Sequence, residues 1–356
     1  MAVLILYYAG VVGGMEVAKY SEERIKKYLA AGYRLIGKEK HSGVEICRWT
    51  KSRLRGERNC YKSIYGIDSR RCIQMTPTID FCNFACPWCW RPFGLHRNKS
   101  HGSMWDDPKT IVDEMIKAQR ELLSGFGGNP LTSREAYMKA MRPAHVAISL
   151  DGEPTLYPAI AGLVKEINSR GMTSFLVTNG SLPNRLLELL REDAIPTNLY
   201  ISVYATNEAD YDSVTNTSLR GVFNRVLESL SLLRRFGERE CRTVFRMTVA
   251  KGLNMKDPDG YACLIKSAEP HFVEVKGYAW LGESRLRLPR TASPTYEELE
   301  KFAEGVISKA GYAIKMRDRI SNIVVAVRDE DTWRWNLQLV KKISKLEGVP
   351  AKNVSG

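Results

Sequence analysis

Cysteine is distributed very unevenly along this chain of 356 residues, and the distribution constrains its fold and chemistry more than any other feature. Six of the eight cysteines lie between Cys47 and Cys89, and the other two are Cys241 and Cys263. Disulfide bonds are not usually crowded in this way in so long a chain, whereas thiolate ligands of a metal centre are. The pattern predicts zinc or iron–sulfur ligation, with Cys241 and Cys263 as structural thiols.

The composition is that of a folded, basic protein. Hydrophobic residues make up 44% of the chain, and 53 basic against 40 acidic side chains leave a formal net charge of +13. Such an excess favours polyanionic partners. The apolar residues 1–14 are too short for a membrane span and lack the basic start of a signal peptide, so we expect a cytoplasmic protein. We interpret them as an extension ahead of a start at Met15; an extra edge strand is the alternative.

From Cys72 onward, short β-rich runs alternate with amphipathic helical segments. The runs predicted as strands are residues 73–80, 145–150, 173–178, 199–204, 244–249 and 272–275. Alternation of this kind is typical of βα units around a parallel sheet. We predict an α/β fold: a partial (β/α)6 TIM-like barrel at residues 72–290. An N-terminal region at 1–71 precedes it, and an α/β extension at 291–356 follows it.

The second cysteine group forms one compact loop directly after the first predicted strand. Cys82, Cys86 and Cys89 have the spacing C-x3-C-x2-C. Three thiolates can hold three irons of a [4Fe–4S] cluster and leave the fourth iron open to S-adenosylmethionine (SAM). A structural zinc ion needs four ligands, and His96 is the one nearby residue that could complete the set. Zinc is the alternative for this loop.

The same loop, with the aromatic Trp88 just before its last cysteine, resembles the radical-SAM enzymes. The resemblance implies reductive cleavage of SAM to a 5′-deoxyadenosyl radical. Members of that family follow the second strand with a Gly-Gly-Glu-like turn that binds the methionine amino group. Asp151 replaces the first glycine here, Gly152 matches the second, and the role passes to Glu153. We also expect Trp88 to contact the cofactor.

Strand alternation predicts a polar inner face of the barrel independently of the family. Tyr200 and Ser202 alternate with apolar residues on the fourth predicted strand, as Arg246 and Thr248 do on the fifth. The resemblance implies that Ser202 contacts the ribose of SAM and Arg246 its carboxylate. Asn179 follows the third strand, where active-site residues of such barrels collect, so we expect it to bind the cofactor too; a simple turn residue is the alternative.

The first cysteine group is too widely spaced for a local motif. Cys47, Cys60 and Cys72 can still converge in the fold and hold a second, auxiliary [4Fe–4S] cluster; buried free cysteines are the alternative. The surrounding stretches resemble the tRNA 4-demethylwyosine synthase family in its archaeal, flavodoxin-free form. They are HSGV at residues 41–44, CYK at 60–62, YGI at 65–67, MTP at 75–77, CWRP at 89–92, VAKGLNM at 249–255 and LGESRLRL at 281–288.

This resemblance implies a definite reaction on tRNA(Phe). N1-methylguanosine at position 37, beside the anticodon, is condensed with two carbons of pyruvate to close the third ring of 4-demethylwyosine. The radical takes a hydrogen from the N1-methyl group, the methylene radical adds to the pyruvate carbonyl carbon, and the carboxyl carbon is lost. The resemblance also implies two [4Fe–4S] clusters and SAM. We expect an external electron donor, because no flavodoxin-like domain precedes His41. We expect a monomer.

Lys62 is the candidate for activating pyruvate, because it lies two residues from Cys60. It would form a Schiff base. In the alternative, pyruvate chelates the open iron of the auxiliary cluster, and Lys62 pairs with a phosphate or neutralises that cluster. Arg285, Arg287 and Arg290 are candidate contacts to the anticodon loop, whose binding should weaken with salt.

Two other functions are compatible with the sequence. One is a different radical-SAM enzyme with an auxiliary cluster, and the other is a non-catalytic iron–sulfur or zinc RNA-binding protein. The polar inner face formed by Glu153, Ser202 and Arg246 argues against the second, because a binding protein does not need one.

Overall fold

The computed structural model describes residues 22–91 and 105–346, without the side chains of 345 and 346. Residues 1–14 and His96, on which two interpretations rested, lie outside the described part. The described chain forms two compact units that alternate along the sequence. The first contains residues 22–60, 68–83 and 105–174, and the second contains 61–67, 84–91 and 175–346. The predicted division at residues 71 and 290 stays a prediction.

The first unit contains two antiparallel strands followed by one parallel pair of strands. Its elements are α1 (Glu22–Ala30), β1 (Tyr33–Ile36), β2 (Ser42–Glu45), α2 (Arg48–Leu54), β3 (Cys72–Thr76), α3 (Pro108–Leu123), α4 (Arg134–Ala140), β4 (His145–Ile148) and α5 (Ile160–Ser169). Strand β2 pairs antiparallel with β1 and β3, and β3 pairs parallel with β4.

The second unit continues the βα pattern and ends with an antiparallel pair. Its elements are β5 (Thr173–Thr178), α6 (Pro183–Arg191), β6 (Asn198–Val203), α7 (Glu208–Thr215), α8 (Val222–Ser231), α9 (Leu233–Gly237), β7 (Arg242–Val249), α10 (Pro258–Ala268), β8 (Phe272–Gly277), α11 (Tyr296–Ala310), β9 (Ala313–Asp318), β10 (Ile323–Val327) and α12 (Glu330–Leu346). The first two residues of β5 belong to the first unit. Strands β5 to β8 pair in parallel, and β10 joins β8 antiparallel and carries β9.

All six strands predicted for the barrel are present as β3 to β8, which confirms the predicted α/β class. Strand β3 ends at Thr76, four residues before its predicted end. Pro77 has no N–H with which to continue the strand pairing. At the end of the strand, the side-chain hydroxyl of Thr76 donates to the carbonyl oxygen of Asp151 at 2.5 Å. Strands β1, β2 and β9 and helices α2, α4 and α7 were not predicted.

The alternation expected along β6 and β7 is confirmed, and it defines the two faces of these strands. Leu199, Ile201 and Val203 are fully buried on one face of β6. On the other face, Ser202 pairs in register with Arg246 of β7, and Arg246 pairs with Glu274 of β8. Because neighbours in register point to the same side of a sheet, these three polar residues form one row.

The described residues include no helix that is both long enough and apolar enough to cross a membrane.

Candidate active site

Lys62 lies on a 3₁₀ turn, Tyr61–Tyr65, that belongs to the second unit. Its side chain is half-buried, and its Nζ lies 4.8 Å from the ring centroid of Tyr200 on β6 and 5.2 Å from that of Phe175 on β5. Aromatic ring faces attract a cation at these distances. The turn therefore presents its amine to the inner face of the strands.

Two distant elements of the second unit hold this turn. From α12, Nδ2 of Asn336 donates to the carbonyl oxygen of Ile64 at 3.0 Å, and from the turn the Tyr65 hydroxyl donates to Oε1 of Glu274 at 2.9 Å. Both bonds are buried, where an unsatisfied partner would be costly. The C-terminal helix thus helps to position the lysine.

Glu274 is the centre of a buried polar network that the sequence analysis missed. Its side chain has no exposed surface, and it accepts hydrogen bonds from Tyr61 at 3.0 Å and Tyr65 at 2.9 Å. Burial and the charge of Glu274 raise the pKa of Tyr65 well above its usual value, so that phenol stays protonated and donates. The available signal was a single acid inside the apolar run FVEV at residues 272–275.

Arg246 joins the same network. Its Nη1 lies 3.6 Å from Oε2 of Glu274 and donates to the Tyr61 hydroxyl at 3.3 Å. Burial opposes the charged form, but Tyr61 and Glu274 outweigh it and raise the pKa of Arg246. Within residues 22–91 and 105–346, Nε and Nη2 have no hydrogen-bond partner, and 19% of the side chain is exposed. The free side of the guanidinium can bind a carboxylate.

The second half of the cysteine loop packs within the second unit. The amide of Ala85 donates to the carbonyl oxygen of Thr215 at 2.8 Å, and the Trp88 ring lies 5.2 Å from that of Tyr204. Cys86 is buried and Cys89 is half-buried, and neither forms a disulfide. The loop is therefore preorganised around two thiols that are in no disulfide.

Arg287 packs against this half of the loop, whereas the sequence predicted that it contacts RNA. Its guanidinium donates to the carbonyl oxygens of Pro87 at 3.2 Å, Cys89, and Arg91 at 3.4 Å. Donors used in this way are not available to a phosphate. Arg285 and Arg290 are exposed, and their contact with the anticodon loop stays a prediction.

The first half of the loop lies in the first unit, beside the turn after β4. Gly152 has a φ of +67°, and a Cβ there would collide with the carbonyl oxygens of Thr78 and Phe81. The amide of Glu153 donates to the Phe81 oxygen at 2.8 Å. Cys82, which follows Phe81, is half-buried and in no disulfide. The glycine thus allows the Glu153 turn to approach the start of the loop.

Glu153 and Asn179 are both buried acceptors of local hydrogen bonds. Oε1 of Glu153 accepts from the amide of Thr155 at 3.0 Å and from its hydroxyl at 2.6 Å. Oδ1 of Asn179 accepts from the amide of Ser181 at 3.0 Å and from its hydroxyl at 2.6 Å. The Asn179 pattern is that of a turn residue, and a cofactor contact for either residue stays a prediction.

Hydrogen bonds join the three segments that carry the first cysteine group, all within the first unit. Oδ1 of Asn59 accepts from the amide of Cys60 at 3.0 Å and from the amide of Ser69 at 2.9 Å. Thr50, on the helix that Cys47 caps, donates to the carbonyl oxygen of Ser69 at 2.8 Å. Ser69 begins the 3₁₀ turn that leads into Cys72. The distant cysteines are thus carried on segments that the fold brings together.

The cysteine donor set has the chemistry of an iron–sulfur site, because three thiolates on one loop can each bind a different iron of a [4Fe–4S] cube. Among the described residues, no three His, Cys, Asp or Glu side chains are grouped closely enough to hold one metal ion. Cys241 is fully buried, as expected of a structural thiol, but Cys263 is exposed on α10 and is not part of the core.

Comparison with known proteins identifies the family. A model of the radical SAM superfamily matches residues 134–262, and a model of wyosine base formation matches residues 267–328. The S-adenosyl-L-methionine-dependent tRNA 4-demethylwyosine synthase of Pyrococcus abyssi is 42% identical over 311 residues, which are 87% of this chain and 90% of that protein. The chain belongs to the tRNA 4-demethylwyosine synthase family.

Further members and solved structures agree with this assignment. The synthase of Pyrococcus horikoshii is 43% identical over 300 residues, 84% of this chain and 86% of that protein. A structure of TYW1 with a lysine–pyruvate adduct bound has a TM-score of 0.76 at 28% identity and covers 87% of this chain and 97% of that one. Archaeal TYW1 gives a TM-score of 0.70 at 26% identity, with the same coverage.

Family membership confirms the main interpretation of the sequence over its two alternatives. The chain is a radical-SAM enzyme of tRNA wyosine biosynthesis with a partial-barrel fold. It uses SAM and an iron–sulfur cluster.

Proposed function

We propose that this chain condenses N1-methylguanosine at position 37 of tRNA(Phe) with pyruvate, and that Lys62 binds pyruvate as a Schiff base. The observation that carries the proposal is the position of Lys62, half-buried with its Nζ over the rings of Tyr200 and Phe175. The adduct of lysine and pyruvate in the similar TYW1 structure supports it.

In the proposed step, the neutral amine of Lys62 attacks the ketone carbon of pyruvate. A C=N bond forms and the ketone oxygen leaves as water. The protonated Schiff base makes this carbon a better acceptor for the methylene group of the tRNA base. The hydrogen bonds of Tyr61 and Tyr65 to Glu274 hold the backbone on both sides of Lys62, so the amine is held in place before pyruvate arrives.

The cysteines divide into two ligand sets in this proposal. Cys82, Cys86 and Cys89 would hold a [4Fe–4S] cluster that leaves one iron open to SAM, and Cys47, Cys60 and Cys72 would hold a second [4Fe–4S] cluster. When bound, SAM and the first cluster supply the 5′-deoxyadenosyl radical that takes a hydrogen from the N1-methyl group. The support for the second set is the hydrogen bonding between its three segments.

The SAM contacts follow the family pattern. We propose that Glu153 binds the amino group, that Arg246 binds the carboxylate with Nε and Nη2, and that Ser202 contacts the ribose. Trp88 and Asn179 complete the cofactor contacts. The free N–H groups of Arg246 support its role, because a half-buried guanidinium that keeps two donors unused is available to an anion.

The remaining partners are also part of the proposal. The anticodon loop presents its base in single strand, so moving that base into a barrel costs little stacking or pairing energy. Arg285 and Arg290 are exposed and can reach a bound tRNA, and the net charge of +13 suits such a polyanion. Reductive cleavage of SAM consumes an electron, which a separate donor supplies. We propose a monomer that acts in the cytoplasm, where it meets tRNA.

An anaerobic assay tests this function. Reconstituted enzyme is incubated with N1-methylated tRNA(Phe), SAM, pyruvate and dithionite, and the digested tRNA is examined by mass spectrometry. The tricyclic base is expected, and unmethylated tRNA(Phe) is expected to give none. Intact SAM cleavage without the new base would contradict the proposal. A Lys62→Ala enzyme should cleave SAM without forming product, whereas full product from it would favour chelation of pyruvate by the auxiliary cluster.

A further inference from the structure

Arg287 has a place in the structure that neither RNA binding nor the SAM contacts explain. A single guanidinium donates to three carbonyl oxygens, those of Pro87, Cys89 and Arg91, although it lies about two hundred residues further along the chain. The first oxygen precedes Trp88, and the second belongs to the last cysteine of the loop. The contact therefore includes the backbone of Cys89, whose thiol we assign to the cluster.

The segment just before Arg287 contacts the same stretch of the loop. The amide of Glu283 donates to the carbonyl oxygen of Trp90 at 3.0 Å. Gly282 packs so closely on this oxygen that a Cβ would collide with it. Residues 282–287 thus bind the carbonyl oxygens of four of the five residues from 87 to 91. Loop carbonyls without such partners would be satisfied by water and free to move.

The chemistry of arginine suits this position. Its planar, permanently charged fork binds several oxygens in one geometry, which a lysine cannot reproduce. Residues 87–91 form no helix or strand, so the guanidinium replaces a hydrogen-bonding ladder. A fixed positive charge beside a cysteine ligand favours the reduced, more negative state of an iron–sulfur cluster, because charge and hydrogen bonding around the sulfurs set its potential.

We propose that Arg287 is a positioning residue for the radical-SAM cluster, one that fixes residues 87–91 and raises the reduction potential of the cluster. The inference rests on the proposed ligation of the cluster by Cys82, Cys86 and Cys89. It assigns the LGESRLRL motif to the control of the cluster, whereas the sequence suggested RNA binding.

Two variants of Arg287 separate its two contributions. Arg287→Met removes both the fork and the charge, and Arg287→Lys keeps the charge alone. Arg285→Met is the matched control, because Arg285 lies on the same turn but stacks on Trp280 at 4.9 Å and donates to the Trp280 oxygen. The three proteins and the wild type are compared as apoprotein by hydrogen exchange, and after reconstitution by potentiometric titration of the EPR signal that SAM alters.

The proposal predicts faster amide exchange in residues 87–91 of both Arg287 variants, and unchanged exchange in Arg285→Met. At a fixed potential, the ratio of reduced to oxidised cluster should fall about tenfold in Arg287→Met, a shift of about 59 mV for one electron. In Arg287→Lys this ratio should stay within about threefold of wild type. If Arg287→Met binds too little iron to titrate, the apoprotein exchange and the Arg287→Lys ratio decide the question.

Opposite outcomes are distinguishable. Wild-type exchange in residues 87–91 of Arg287→Met, or a wild-type potential in that variant, would overturn the inference and leave the proposed function intact. A Cys89→Ala enzyme that kept the SAM-sensitive EPR signal would overturn the ligand assignment as well as this inference.

Discussion

The hydroxyl of Tyr65 donates a 2.9 Å hydrogen bond to Oε1 of Glu274, and this bond links the turn that carries Lys62 to strand β8. Glu274 is fully buried and also accepts from Tyr61. Replacing it with leucine would leave two phenols and Arg246 without their acceptor. We expect Glu274→Leu to lower the free energy of unfolding by about 3 kcal/mol, measured by guanidinium denaturation.

A charged residue in an exposed position provides the control for this experiment. Glu228→Leu alters a glutamate on the solvent side of α8 and should change the free energy of unfolding by less than about 0.5 kcal/mol. Equal losses in the two variants would show that the buried network around Glu274 contributes nothing specific.

Gly152 and Gly171 form a second matched pair. Both have positive φ, +67° and +71°, but a Cβ at Gly152 collides with the carbonyl oxygens of Thr78 and Phe81, whereas one at Gly171 meets nothing within 4 Å. Gly171→Ala should cost about 1 kcal/mol from backbone strain alone. Gly152→Ala should cost about 3 kcal/mol or more, or give no folded protein. Similar thermal unfolding midpoints for both variants would disprove the close approach.

The two cysteine groups should lose iron independently of each other. Anaerobic reconstitution should give about eight irons per chain in the wild type and about four after alanine replacement of either group. SAM cleavage should be lost when Cys82, Cys86 and Cys89 are replaced. It should remain when Cys47, Cys60 and Cys72 are replaced. Cys263→Ala is the control, because Cys263 is exposed on α10 and should leave the iron content unchanged. About four irons in the wild type would contradict the second cluster.

We expect the buried His271 to make the protein less stable in mild acid. Its Nδ1 accepts from the amide of Thr243 at 3.3 Å, and its ring lies 4.7 Å from that of Trp335. Burial, assisted by the charge of Arg328, lowers the pKa of His271 to about 4 from its usual 6.5. The unfolded chain therefore binds a proton between these values that the folded chain does not. Stability should be full above pH 6.5 and fall as the pH drops towards 4.

The comparison of wild type with His271→Gln isolates this effect. Between pH 7 and pH 4, the wild type should lose about 3 kcal/mol more of its free energy of unfolding than the variant does. Denaturant titrations at each pH provide the measurement. Parallel losses in the two proteins would mean that His271 is not buried in its neutral form.

Local signals predicted much of the fold. Apolar runs and turn residues located β3 to β8, because each strand and the helix that follows it are formed by residues adjacent in the sequence. Strands β1, β2 and β9 escaped prediction because they are short or polar: β9 contains no fully buried hydrophobic residue. One of the amphipathic helical segments, at residues 221–236, forms two helices, α8 and α9. They meet at Leu232, and the sequence there contains no Gly or Pro to mark the break.

The candidate site was predictable only where its chemistry is local. The spacing of Cys82, Cys86 and Cys89 is visible in the sequence, and Lys62 was proposed from its neighbour Cys60. The partners of these residues were not visible, because Tyr65 and Glu274 are 209 residues apart and Arg287 lies 198 residues from Cys89. Contacts over such separations are set by the packing of whole elements, which no local pattern records.

Covalent trapping tests the central claim about Lys62 most directly. The enzyme is incubated anaerobically with labelled pyruvate and reduced with borohydride, which converts a Schiff base into a stable amine, and the labelled peptide is sequenced. Lys276→Arg is the control, because this inner-face lysine donates to the carbonyl oxygen of Ser321 at 2.6 Å. We predict label on Lys62 in the wild type and in Lys276→Arg, and none in Lys62→Arg. Label on a different lysine, or none in a wild-type enzyme that forms product, would contradict the account.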